Sequence, residues 1–502
     1  MSGLSGNIIA SLVSKAWSAL LLLALVPVYI RFLGVEAYGV VGAFVALQAL
    51  MSLLDLGFGA TLTRQLARLS AEPQAAREMR DLLRTLEIIY WTVAVGLALL
   101  VLLLAPGISS HWLRLERLSN AEVSRAIAAA GLAFALQWPT NLYSAGLAGL
   151  QQQVTLGWIV GGAGTLRALA SVLALWLLAP TLEVFFLAQA CVNLLQTVCI
   201  GAVLWRALPA AAGRSSFRPA LVRAVLRFAT GMTGISLTTV VLTQLDKAVL
   251  SKTLPLGTFG YYTVASTLAA GLYVVVTPLF AAFFPRFSQL AAQQDRAAIG
   301  RLYGVSSQLM AVILLPLAAV IALFSPEILG LWTGNPAIVA NSGLLLSLLI
   351  LGNAMNGLMN VPYALQLAHG WTSLAFYSNV AAIALCAPLT YYLSLRMGAP
   401  GGALVWVLLT FGYLCTSLPL TLRKLLPGRL WHWYLVDVGG PAIAAFAVAG
   451  LGRILLPRPP PGLGTALLLA SLTACGWLAA MLAAPDIRAL VVNRLHPAST
   501  AG

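Results

Sequence analysis

The sequence predicts an all-α polytopic membrane protein of about fourteen transmembrane helices, built as two pseudo-symmetric six-helix lobes plus two C-terminal helices. Three observations lead there: a composition too apolar for water, a series of bilayer-length apolar stretches, and a weak internal repeat. Of 502 residues, 60% are hydrophobic and 9% charged, with a mean hydropathy of +0.92. A soluble domain carries roughly 25% charged residues, so hydrocarbon is the main solvent of this chain.

A span needs about 17–25 apolar residues. Stretches of that kind run at 8–30, 38–62, 84–105, 123–148, 155–179, 183–205, 228–250, 257–284, 303–324, 341–366, 371–395, 402–422, 435–455 and 464–483. The first lacks a basic n-region and a small-residue cleavage site, so it is expected to remain as a span. The five cysteines, Cys191, Cys199, Cys386, Cys415 and Cys475, all fall inside apolar spans without metal-ligand spacing. They read as small apolar packing residues. The longest connections are about twenty residues, too short for a soluble domain, so function is expected within the membrane or between helices.

The net charge of +15 is unevenly distributed. Arg64, Arg68, Arg77, Arg80, Arg84, Arg206, Arg214, Arg218, Arg223, Arg227, Arg286, Arg296, Arg301, Arg423, Lys424, Arg429, Arg488 and Arg494 fall on one face of the predicted topology. Arg31, Arg114, Arg117, Arg125, Lys252, Arg396, Arg453 and Arg458 fall on the other. Basic loops stay cytoplasmic, which places both termini there and makes the charge a topological signal with no nucleic-acid partner implied.

The repeat pairs "RFLGVEAYG" at 31–39 with "KTLPLGTFG" at 252–260, and "RQLARLSAEP" from Arg64 with "RFSQLAAQQD" from Arg286. Six spans separate the copies, so both halves enter the membrane in the same direction, related by an axis along its normal. The expected domains are residues 1–210, 211–425 and 426–502: an N-terminal lobe, a C-terminal lobe, and two extra helices with a cytoplasmic tail. Prolines within spans (Pro27, Pro139, Pro278, Pro316, Pro362 and Pro388) suit kinked, bending helices, or only the general tolerance of membrane helices for proline.

An intramembrane charge is costly and usually faces a partner or a wet cavity. Lys15, Asp55, Arg167, Asp246 and Lys247 are the candidates. Lys15 is near enough to an interface to snorkel; Arg167, in mid-span, is not. Asp55 reads either as an ion-coupling carboxylate or as the structural partner of a basic residue such as Arg64. Asp246 and Lys247, being adjacent, point about 100° apart on a helix and are not a simple ion pair. Polar cavity candidates are Gln48, Asn141, Gln244, Asn353, Asn356 and Asn360, with Gln137 and Asn193 as further interior amides. Asn353, Asn356 and Asn360 share one helix face, suited to sugar hydroxyls or to a neighbouring helix. Trp17, Trp138, Tyr143, Tyr262, Tyr273 and Tyr363 suit sugar stacking or the interfacial belt. Cations in a cavity suit an anion, phosphate above all. No phosphate loop, nucleophile–base pair or metal cluster can be assembled from the spacing, so neither an enzyme nor a cofactor or metal site is expected.

The segments "LVPVYIRFLGVEAYGVVGAF", "LLDLGFGATLTRQLA" and "QLDKAVLSKTLPLGTFGYYTVAS" resemble the Wzx-like polysaccharide flippases of the multidrug/oligosaccharidyl-lipid/polysaccharide (MOP) exporter superfamily. The resemblance implies a flippase of the bacterial inner membrane. It would move undecaprenyl-pyrophosphate-linked oligosaccharide from the cytoplasmic to the periplasmic leaflet for lipopolysaccharide or other surface polysaccharide. It further implies alternating access, Lys15, Arg167 and Lys247 on the substrate, Asp55 or Asp246 in ion coupling, and a polysaccharide polymerase with its chain-length machinery as partners. A MATE-like drug or cation antiporter and a lipid II flippase are the nearest rivals. A membrane-embedded polymerase or ligase generally needs a large periplasmic loop, and no connection here is long enough.

Overall fold

In the computed structural model, residues 17, 20, 21, 23–55, 57–70, 72, 74–211, 213–219, 233–456 and 462–495 are described. They form helices; the single β-type pairing among them is an isolated parallel bridge between Arg114 and Pro255. Eleven helical segments are long and apolar enough to cross a membrane. The expectation of about fourteen is therefore not confirmed. The predicted span 8–30 lies mostly outside the described residues, with Leu23–Leu33 as a short apolar helix. The span 123–148 is cut in two, and of 228–250 only the part from Thr233 is described.

The chain forms two compact units, Met1–Gly260 and Tyr261–Gly502. The first contains α1 (Leu23–Leu33), α2 (Val35–Met51), a 3-10 turn (Ser52–Asp55), α3 (Phe58–Leu69), α4 (Ala76–Gly107) and α5 (Asn120–Gln137). It continues with α6 (Pro139–Gly149), α7 (Gln153–Leu177), α8 (Leu182–Ala207), α9 (Thr233–Thr253) and the start of α10 (Leu256–Ala270). Small residues bring these helices together, as expected where lipid offers no hydrophobic drive to associate. Ala126, Ala129, Ala130 and Ala133 of α5 are buried, and a methyl group on Gly131 would collide with Val101 of α4. Asn193 and Thr197 of α8 then donate to the Ala133 and Leu136 carbonyls of α5 at 2.9 and 2.7 Å. Helix α9 packs against α2.

The second unit contains α11 (Tyr273–Ala292), α12 (Arg296–Leu323), α13 (Ser325–Thr333), α14 (Pro336–Leu358), α15 (Asn360–Ala368), α16 (Ser373–Met397) and α17 (Ala399–Cys415). After these come α18 (Ser417–Leu425), α19 (Gly440–Leu455), α20 (Leu463–Ala483) and α21 (Pro485–Leu495). Helix α12 is the most buried of the eleven candidate spans and packs against α14, α19 and α20. It is tied to the C-terminal segments beyond one end and at mid-length. Glu327, just beyond one end, pairs with Arg453 at 2.5 Å. At mid-helix, Gln308 donates to the buried Asp437 at 2.8 Å and accepts from the Asp486 amide at 2.8 Å.

The repeat shows in the architecture. Helices α2 and α10 begin at Val35 and Leu256, 221 positions apart, and each is interrupted within its span, at Ser52–Asp55 and at Gly271–Leu272. The break between α5 and α6 falls at Trp138, and that between α14 and α15 at Met359, again 221 apart. Pro139 occupies the first position of α6, where its missing N–H costs nothing. Pro278, Pro316 and Pro388 lie inside continuous helices.

The cysteines depart from expectation. Only Cys386 is buried; Cys191, Cys199, Cys415 and Cys475 lie exposed on helix surfaces. A thiol is apolar enough to face lipid as readily as a core, so hydropathy alone does not separate the two.

Candidate functional site

One recess in the first unit is a cavity of about 330 Å³ among α1, α2, α5, α7 and α8. Its walls are largely apolar, with Phe44, Phe134, Phe185 and Phe186, and amides of Gln48, Gln137, Gln189, Asn193 and Gln196 are set among them. Arg167 is the only charged residue among the described lining. It sits in mid-α7, whose apolar sequence holds the helix through "GGAGTLRALA". The guanidinium donates through Nη2 to Gln196 Oε1 at 2.5 Å. Its Nε is buried without an acceptor among the described residues, and no described carboxylate lies within ion-pair distance of it. A buried cationic donor left unpaired is expensive, so the recess must be wet or take an anionic oxygen.

A second recess of about 310 Å³ shares Val45, Gln48, Phe134 and Gln137 with the first and adds Ser52, Trp138 and Asn141. Gln48 and Gln137 are bonded to each other at 3.1 Å where the two meet. Beyond Ser52 the 3-10 turn delivers Asp55, whose carboxylate accepts from the Tyr90 hydroxyl. The Tyr90 ring lies 6.1 Å from that of Trp138. Within one unit, the two recesses thus share Gln48 and Gln137, and Asp55 lies behind the second, held by Tyr90 beside Trp138. The partner of Asp55 is a phenol from α4; no described ion pair joins it to a basic residue.

The remaining sequence candidates are placed elsewhere. Lys15 lies outside the described residues. Lys247 is half-buried on α9 and donates to Gln244 one turn back at 3.4 Å; Asp246 is half-buried between them. In the second unit, Asn353 accepts from Trp406 at 2.8 Å and Asn356 from Tyr273 at 2.8 Å. Asn360 turns back onto the Asn356 carbonyl of its own helix at 3.0 Å. The three amides thus bind three different partners, and two of them tie helices together. Among the aromatics, Tyr143 donates to Glu87 at 2.6 Å, Trp17 to Thr165 at 2.9 Å, and Tyr363 stacks on Phe280. Trp138 and Tyr262 are buried.

Sequence reasoning missed two groups. Gln189 and Gln196 join Asn193 at spacings of four and three, a helix face visible in "QACVNLLQ". Glu87 is nearly buried, accepting from Tyr143 and Trp205 (3.2 Å) and pairing with Arg84 at 2.7 Å. Its i,i+3 relation to Arg84 disguises it as a loop charge at a span's edge.

Residues 4–291 match a family model described as polysaccharide biosynthesis protein, and residues 232–392 one described as MatE. No curated protein sequence matches the chain. The lipid II flippase MurJ in an inward closed conformation is similar in structure, with TM-score 0.70 and 13% identity over 97% of this chain and 99% of that one. A multidrug resistance MATE family transporter of the MOP superfamily, inward-facing, gives 0.61 and 15% over 83% and 95%. A MOP superfamily transporter from Pyrococcus furiosus, described by the reverse polarity of its binding pocket, gives 0.53 and 14% over 91% and 96%. At these identities the likeness is one of fold.

Proposed function

The chain belongs to the polysaccharide biosynthesis protein family and has the fold of the MOP transporters, and on that premise we propose that it flips a lipid-linked oligosaccharide across a bacterial inner membrane. The substrate class is undecaprenyl-pyrophosphate-linked sugar, taken from the cytoplasmic to the periplasmic leaflet by alternating access of lobes 1–210 and 211–425. Both termini are cytoplasmic, residues 426–502 add two helices and a tail, and a polysaccharide polymerase with its chain-length machinery takes the product.

The observation that carries this reading is Arg167: the one cation in the described lining, with a buried N–H that no described residue accepts, surrounded by amides. A guanidinium suits a phosphate or sugar carboxylate oxygen, and amides suit hydroxyls. A cation-exporting cavity would instead present carboxylates. Lys247 with Gln244, and Lys15, are further substrate contacts in this reading, and Asp55 and Asp246 are its ion-coupling carboxylates. The test is deletion of the gene followed by analysis of lipid-linked sugars. Accumulated repeat units facing the cytoplasm are expected; normal export with raised drug sensitivity would favour antiport.

A further inference from the structure

The two repeat turns are in contact. A Cβ on Gly39 of α2 would stand 2.6 Å from the Leu256 carbonyl oxygen, and one on Gly260 of α10 would collide with the Val35 carbonyl. Gly39 and Gly260 are 221 positions apart, as are Val35 and Leu256, so the contact is reciprocal about a local two-fold. Glycine is required here because a backbone oxygen, unlike a side chain, cannot step aside.

Across this junction runs the segment that follows α4. Arg114 accepts at its carbonyl from the Leu256 amide at 2.8 Å. The Glu36 carboxylate accepts from the amides of Glu116, Arg117 and Leu118, at 2.8, 3.0 and 3.4 Å. The Glu116 carboxylate in turn accepts from the Gly257 amide at 3.0 Å. Trp112 donates to Ser251 at 3.0 Å, and the Lys252 ammonium lies 5.0 Å above its ring. Glu36 and Gly257 are again 221 apart, so the segment grips the same position in both copies. It also caps amides of the first turn of α10, which have no acceptor within their own helix.

We infer that residues 112–118 are a latch that closes the repeat junction and releases it in every transport cycle, with Glu36 and Glu116 as its two hooks. The junction itself is built of backbone and small side chains, with α9 packed against α2 beside it, and the latch adds hydrogen bonds across both repeat turns. Release in every cycle rests on the alternating-access reading; the holding role does not.

Two experiments on the full chain in lipid nanodiscs and in cells test this. Hydrogen exchange of the 251–260 segment is compared between the native protein and the E36A/E116A variant. At least a tenfold faster exchange at residues 256–257 is expected; unchanged exchange overturns the latch, whatever the substrate. Cysteines at Arg114 and Pro255, bridged residues whose backbones lie about 5 Å apart as paired strands do, are then joined oxidatively in a background lacking the five native cysteines. Export that stops on oxidation and returns on reduction is expected; undiminished export in the oxidised protein overturns cyclic release. Absent export in the reduced protein with accelerated exchange in E36A/E116A would count against the translocation reading while leaving the holding role in place.

Discussion

Arg167 gives one terminal N–H to Gln196 at 2.5 Å and keeps its buried Nε–H without an acceptor. One terminal N–H of the guanidinium is thus fixed by Gln196, and the buried Nε–H is left for an acceptor that no described residue supplies.

The first prediction follows from that division. Arg167→Ala should lower export by roughly 10- to 100-fold, the worth of a charge-assisted hydrogen bond. Arg167→Lys should recover only part of it, because an ammonium offers charge but not the planar fork. Export of surface polysaccharide at matched protein levels measures both. Wild-type export in Arg167→Ala would remove the residue from the substrate path.

Asp55 has a phenol as partner, and that ring lies beside Trp138 of the second recess. Asp55→Asn keeps an acceptor for Tyr90 and removes the ionisable group. The expected variant folds normally but transports without response to an imposed proton or sodium gradient in proteoliposomes. Retained gradient dependence would exclude Asp55 as the coupling carboxylate.

The glycine junction makes a symmetric prediction. Gly39→Ala and Gly260→Ala each drive a methyl into a carbonyl of the other copy. Overpacking of this kind costs about 1–3 kcal/mol. Both variants should lower the thermal midpoint by similar amounts, whereas Gly96→Ala, with open space around its Cα, should not lower it. A large effect from only one junction variant would contradict the reciprocity.

Gln308 joins Asp437 to the backbone of α21. Gln308→Leu leaves a buried carboxylate and a helix-start amide without that partner, a loss of about 1–3 kcal/mol. Thermal unfolding in detergent should show it, and Gln308→Glu should be worse, since it places a second carboxylate beside Asp437.

The apolar stretches and their lengths were readable because a span must satisfy its own backbone in lipid, which forces the pattern on the sequence. The repeat was readable at two turns only. Its firmer trace, the interruptions at Trp138 and Met359, involves residues of different types; position is shared and letters are not. Arg167 stood out because charge in mid-span is rare. What stayed hidden was partnership. Asn353, Asn356 and Asn360 share a face in projection, yet their bonds go to Trp406, Tyr273 and a carbonyl of their own helix. Asp55 has Arg64 as a sequence neighbour, while the phenol that binds it lies 35 residues away. Spacing along one helix says which side chains are neighbours on it, not which helix arrives to meet them.

The ties between α12 and the C-terminal helices also bear on how the protein is made. Ser307 and Gln308 are buried against Trp433, Asp437 and the start of α21, all of which leave the ribosome well over a hundred residues later. Until then that polar patch of α12 has neither its final partners nor their cover. A nascent chain paused before residue 430 therefore presents a client surface for membrane chaperones and quality-control proteases, and completion of the last hairpin withdraws it.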